Sequence, residues 1–230
     1  MSVFRLIGLC LLLALALSPA HASGVNRFKA ALEAQSKGDL EHALKLYTQA
    51  MRDGDLSHKQ LSISAYNRGI IFLSKKNYDL AISDFDTAIW LRPEYSDAYH
   101  NRGLAHNRAG HFEQSIADFT MSLTLKPDNP SALNNRGNAY RAVNEFDKAI
   151  ADYDKAIALQ PEYGFGYYNR GLALEAKAIS MENAGARNLS QDAEMRRKAL
   201  WAGARRDFEK ALHFIPDHPA IKAKLAQTPR

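Results

Sequence analysis

Three histidines close together in the chain, His100, His106 and His111, are the first candidates for chemistry, because imidazoles bind zinc and carry protons near neutral pH. Their spacing does not place two rings on one helix face, as an i, i+4 pair would, so a zinc site is not expected. Glycines are scattered rather than gathered into a phosphate-cradling loop. Aspartates and glutamates fall at helical intervals on faces expected to be solvated, with no sign of a paired acid and base. No catalytic residue, metal or cofactor is therefore expected. What does recur is an amide. Asn67, Asn101, Asn135 and Asn169 follow one another every 34 residues. An amide carries both a donor and an acceptor, which suits it to grip the backbone of an extended peptide whatever its sequence.

Each asparagine opens the triplet Asn-Arg-Gly, ending at Gly69, Gly103, Gly137 and Gly171. Beyond it come a small residue, an aromatic, a second small residue and a proline. In successive units these are Ala81, Phe85, Ala88 and Pro93; Ser115, Phe119, Ser122 and Pro127; and Ala149, Tyr153, Ala156 and Pro161. The last unit gives Ala204, Phe208, Ala211 and Pro216, delayed by an insertion of 21 residues. A fixed period of this length is the mark of a repeat architecture.

One unit shows what the repeat must be. Tyr99, Gly103 and His106 share a helical stripe, and the glycine lets a second helix come close. Ala109-Gly110-His111 breaks that helix, Phe112 to Leu125 form the next, and Pro127 and Pro130 punctuate the exit. Two helices with one apolar face each cannot bury themselves alone, so neighbouring pairs must stack. The expected fold is all-α: a right-handed, curved solenoid whose first helices line the inner wall. A helix turns about 100° per residue, so the four asparagines lie opposite the packing stripe and are expected in a row along that wall. Tyr66, His100, Arg108, Asn134, Asn138, Arg141 and Tyr168 are their expected neighbours in the groove. A plainer reading is that asparagine at this slot bonds a neighbouring repeat.

These residues resemble the tetratricopeptide repeat family, over roughly Gly24 to Pro216. The pattern departs from the family where a leucine before the glycine is replaced by Arg68, Arg102, Arg136 and Arg170. The leading aromatic is kept as Tyr99 and Tyr167 but is Ala65 and Leu133 elsewhere. The asparagine row is similar to the ladder on the tetratricopeptide superhelix of the O-linked N-acetylglucosamine transferase. The arginines come with aspartates: Asp84, Asp118, Asp152 and Asp207 precede the second-helix aromatics of the same units. The first unit has Ala30 and Leu46 instead and lacks both charges. Four ion pairs are expected, Arg68–Asp84, Arg102–Asp118, Arg136–Asp152 and Arg170–Asp207, flanking the helix–helix seam and fixing the register of stacking.

The organisation follows. Residues 1–22 have the basic start, apolar run and small-residue end of a secretory signal peptide, with cleavage expected near Ala22. Cys10, the single cysteine, lies inside it. Residues 24–61 hold a degenerate first unit, turning at Gly38, and a linker. Residues 62–163 hold three regular units, and 164–216 a fifth whose extended helical hairpin spans 178–203. That hairpin is expected to run to about Glu182, turn through Gly185 to Leu189, and restart with Ser190 as its cap. Trp201 occupies the aromatic slot of Tyr78, Phe112 and Phe146 and is assigned to the core. Residues 217–230 form a capping end. With 46% hydrophobic and 24% charged residues the chain is of ordinary folded composition. Its net charge of +5 is spread along the sequence, unlike the concentrated patch of a nucleic-acid binder. The cluster Arg196, Arg197, Lys198, Arg205 and Arg206 is the exception, read as the wet face of a long helix or as a docking patch for an acidic partner, a phospholipid or a wall polymer.

The expected function is a non-enzymatic adaptor of the bacterial envelope, in the periplasm, that binds other proteins or extended peptides in its groove. Nucleic acid is not an expected partner, and contact with a membrane surface is left open. The rival reading is a structural scaffold that self-associates through the 178–203 hairpin.

Overall fold

The computed structural model describes residues 23–184 and 190–229, and eleven α-helices make up its regular structure. The leader expected at 1–22 and the turn expected at 185–189 lie outside the described residues. The chain divides into two compact units after Leu56.

In the first unit, α1 (Gly24–Ser36) and α2 (Leu40–Asp53) form one hairpin. Ser23 and Asp39 start the two helices by accepting from the N–H groups of Asn26 and His42, which satisfies donors that have no partner inside a helix. Phe28, Ala31 and Ala34 bury against Ala43, Tyr47 and Ala50. The Tyr47 hydroxyl donates to Gln35 Oε1 at 2.6 Å, so the ring can be fully buried without stranding its polar end.

The second unit stacks four hairpins: α3 (His58–Ser74) with α4 (Tyr78–Leu91), α5 (Ser96–Ala109) with α6 (Phe112–Leu125), α7 (Pro130–Ala142) with α8 (Phe146–Leu159), and α9 (Gly164–Ala184) with α10 (Gln191–Phe214). A short helix, α11 (Pro219–Gln227), closes it. The starts are chemically specified. Ser57 and Gln60 make a capping box before α3, Asn129 caps α7 with Pro130 in its first turn, and Ser190 caps α10. The turn inside each regular hairpin needs one left-handed residue, which is Gly110 in the middle hairpin but Lys76 and Asn144 at the equivalent places in its neighbours. Each helix packs on the next in sequence, and successive first helices also touch: α3 with α5, α5 with α7, α7 with α9. Successive second helices do not approach as closely. A stack tighter on one side bends toward that side, so α3, α5, α7 and α9 line its concave wall.

The core of each of these four hairpins is one aromatic ring laid on one glycine. Phe85, Phe119, Tyr153 and Phe208 are fully buried and face Gly69, Gly103, Gly137 and Gly171. Burying such a ring contributes about 1.5–3 kcal/mol. Small residues surround it, and two buried serine hydroxyls take up backbone carbonyls. Ser115 donates to Gly103 O at 2.9 Å and Ser96 to Ser122 O at 3.1 Å. The glycine contacts are not equally tight. A Cβ on Gly137 would lie 2.7 Å from Tyr153 Cε1, on a ring fixed by its hydroxyl bond to Asn138. A Cβ on Gly103 would meet Phe119 at 3.1 Å, on a ring with no such tether. Gly137→Ala is therefore expected to cost about 2 kcal/mol after the roughly 1 kcal/mol gained in helix propensity, and Gly103→Ala close to nothing. Urea unfolding of the two variants measures the difference; equal losses would mean that ring mobility does not decide the outcome.

Candidate functional site

Asn67, Asn101, Asn135 and Asn169 recur at 34-residue spacing on the first helices α3, α5, α7 and α9, and all four are half-buried. They are not equivalent. Asn101 Nδ2 donates both to Tyr66 Oη, 3.1 Å away in the preceding repeat, and to Asp97 O at 2.8 Å. Asn169 Nδ2 donates to Asn134 Oδ1 at 2.9 Å, again one repeat back. These two amides tie neighbouring repeats together, as the plainer reading of the sequence had it. With its amino group engaged, what Asn101 has left to offer a ligand is Oδ1, an acceptor. Asn135 makes no side-chain hydrogen bond among the described residues.

The residues just before these asparagines cover the buried rings. Tyr66 packs on Phe85 with centroids 6.0 Å apart, His100 on Phe119 at 5.4 Å, and Tyr168 on Phe208 at 6.0 Å. Asn134 takes the same place but is only 5% exposed, with its oxygen held by Asn169. It belongs inside the wall, and its expected place on an open groove surface is corrected accordingly. Burial raises the Tyr66 pKa to about 12, helped by Tyr95 and Asp97 nearby, so its hydroxyl stays neutral and can accept from Asn101. Burial lowers the pKa of His100, with Asp97 opposing, so the imidazole adds no charge to the wall at neutral pH. Its Nδ1 is buried without a partner, as is Arg141 Nε. Asn138 Oδ1 accepts from the Tyr153 hydroxyl at 2.8 Å. Arg108 is exposed and Arg141 half-buried.

Beside the seam, every arginine of the triplet grips its aspartate with two parallel bonds. Arg68 donates from Nε and Nη2 to Asp84 at 2.8 and 2.6 Å, and Arg102 to Asp118 at 2.9 and 2.6 Å. Arg136 reaches Asp152 at 2.7 Å with both nitrogens, and Arg170 reaches Asp207 at 2.8 and 2.7 Å. The third nitrogen reaches back into the previous repeat: Arg102 to Asp86 at 2.6 Å, Arg136 to Thr120 at 3.1 Å and Arg170 to Asp154 at 2.6 Å. Each of these three arginines therefore staples two hairpins. The sequence pattern pairs each arginine only within its own repeat and does not show this second contact, although Asp86, Thr120 and Asp154 themselves recur at the repeat spacing. Burial pushes the Asp84 and Asp207 carboxyls up by more than their arginines bring them down. The pairs thus cost desolvation that offsets their attraction, which suits a register device better than a source of stability.

Two further places draw attention. His106 Nδ1 and His111 Nδ1 lie 3.4 Å apart across the turn at Gly110, and His106 Nε2 is 3.9 Å from Asp118. The turn, not a helix face, brings these rings together. Among the described residues no group of three or more histidine, cysteine, aspartate or glutamate side chains could hold a metal ion. On α9 and α10 a cleft of about 720 Å³ is lined by Glu182, Arg197, Lys198, Trp201, Arg206 and Pro229, among others. Trp201 is half-buried, like Tyr78, Phe112 and Phe146, so the slot is shared but is an edge of the core rather than its interior. Of the basic cluster, Arg197 pairs with Glu182 and Glu194 and Arg205 with Glu209, while Arg196 and Arg206 are exposed.

Against known proteins, family models described as tetratricopeptide repeat match residues 28–97, 66–130 and 130–163, together more than half of the chain. Among solved structures, the chain is similar to MamA protein, at 20% identity and TM-score 0.67 over 90% of this chain and 97% of that one. It is also similar to MamA from Desulfovibrio magneticus RS-1, at 18% identity and TM-score 0.66 over 85% and 97%. A third is YrrB, a TPR protein with an unusual peptide-binding site, at 19% identity and TM-score 0.68 over 88% and 91%. No curated protein sequence matches. At these identities the likeness speaks for the fold.

Proposed function

Since the chain belongs to the tetratricopeptide repeat family, we propose that it is a non-enzymatic adaptor that holds an extended peptide or partner domain on the concave wall formed by α3, α5, α7 and α9. The supporting observation is the wall itself, half-buried amides at one-repeat intervals, with no enclosed pocket found behind them among the described residues. Such a surface offers backbone-directed hydrogen bonds at regular steps but no convergent groups around a single reacting atom, which is what catalysis needs. YrrB, similar in fold, is described as binding peptide. The leader-like residues 1–22 support work outside the cytoplasm, in a bacterial envelope.

Asn135 gives the cleanest test, because Asn101 and Asn169 also join repeats and their removal mixes binding with stability. Asn135→Ala is expected to weaken peptide capture on a random-sequence peptide array about two- to tenfold, the value of one hydrogen bond of 0.5–1.5 kcal/mol, with no change in thermal midpoint. Unchanged capture would remove the amide row as the grip. The scaffold reading has its own support in Ile179 and Met195, apolar and exposed on the long helices α9 and α10. Changing both to serine is expected to leave the molecular mass in solution unaltered if the adaptor reading holds.

A further inference from the structure

Resting on that reading, we propose that the segment held in the groove is acidic, and that Arg141, assisted by Arg108 one repeat earlier, receives one of its carboxylates. The argument is a charge count along the wall. Helix α7 carries no carboxylate, and its only two charges are Arg136, engaged by Asp152, and Arg141. On the flanking first helices the carboxylates have cationic partners: Asp97 with Lys126 at 2.8 Å, Glu175 with Lys224 at 2.7 Å, and Glu182 with Arg197. At the mouth of the next turn Glu145 pairs with Lys148 and Asp147 with Lys177. His100 is held neutral by burial. Among the described residues, the wall around α7 is left with two guanidinium groups, Arg108 and Arg141, that meet no carboxylate.

Arg141 is unlike the other arginines of the repeats. Those of the triplet meet a carboxylate in bidentate fashion, whereas Arg141 meets the Tyr153 phenol, and its Nε is buried with no acceptor. An arginine in this condition is incomplete, because a guanidinium matches a carboxylate through two parallel bonds. The amides at Asn138 and Asn135 stand on the same helix one and two turns before it. A segment running over them with its backbone on the amides would bring every second side chain to the wall, and an aspartate or glutamate among them reaches Arg141.

The test uses two labelled twelve-residue peptides, alternating glycine with glutamate and glycine with glutamine, measured by fluorescence anisotropy against the whole protein. The glutamate peptide is expected to bind at least tenfold tighter. Arg141→Gln is expected to remove most of that preference, Arg141→Lys to keep part of it, and Arg108→Gln to reduce it about threefold. Circular dichroism checks that each variant is folded. Arg206→Gln, in the cleft on α10, is the control for unspecific attraction to a basic protein and should leave the preference intact. Equal binding of the two peptides, or a preference that survives Arg141→Gln but disappears with Arg206→Gln, overturns the inference. If both peptides bind equally and Asn135→Ala weakens both, the groove reading stands while this one fails. If neither peptide binds, both fall.

Discussion

Arg136→Met is expected to lower the stability of the protein by about 3 kcal/mol, and Asp152→Leu added to the same chain to return most of that loss. The asymmetry comes from burial. The Asp152 side chain is 5% exposed, so its charge relies on the two bonds from Arg136 and has little water to replace them. Removing the arginine strands a carboxylate between helices, whereas removing both charges leaves two apolar side chains of similar bulk in contact beside the seam. The same double replacement also cuts the 3.1 Å bond from Arg136 to Thr120 in the hairpin before. If the pair fixes register, the double variant should keep its unfolding free energy yet lose sharpness: hydrogen exchange in α6 and α7 should rise relative to α3 and α4. Urea unfolding of the two single variants and the double variant supplies the cycle. Two single variants that each cost less than about 0.5 kcal/mol would place the pair among the surface ion pairs that contribute little.

How far the sequence reaches depends on whether a feature is set within one repeat or between two. The turn at Gly110, the laying of Phe119 on Gly103 and the pairing of Arg102 with Asp118 are all within one hairpin. There the spacing of residue types is enough, because one helix and its turn determine where the partner stands. The contacts from Arg102 to Asp86 and from Arg170 to Asp154 cross to the previous hairpin, and the third member of that column is Thr120, which breaks the charge pattern that would have exposed it. The amides show the same limit. A helical wheel tells which way Asn101 and Asn169 leave their own helix, but not that Tyr66 and Asn134 stand opposite on the neighbouring one. A signal was available, since the residue before each asparagine is Tyr66, His100, Asn134 or Tyr168, polar at its tip in every repeat and so able to meet an amide. Helix-face spacing does not pair His106 with His111, and only the geometry of the turn between them brings the rings together.

Tyr153→Ala is expected to cost about 4 kcal/mol, and Tyr153→Phe about 1 kcal/mol, and the gap between them separates what the ring does from what its hydroxyl does. The ring is fully buried beside Ala149 and Ala173, with Gly137 beneath it. None of these three can fill the space, and Tyr140 and Ile150 border it only from the side, so most of the cavity remains and its cost adds to the lost transfer energy. The hydroxyl donates to Asn138 Oδ1 and lies against Arg141; burial raises the phenol pKa and the charge and hydrogen bond of Arg141 oppose it. The phenylalanine variant therefore keeps the core while releasing two side chains of the concave wall. It should lose only about 1 kcal/mol of stability, but Arg141 would lose the contact that holds it in place. The preference for glutamate over glutamine peptides should then fall while the contribution of Asn135 is retained. A phenylalanine variant with undiminished preference would show that Arg141 is positioned by its own helix alone. Tyr153 would then serve only the core, as Phe119 does in the repeat before.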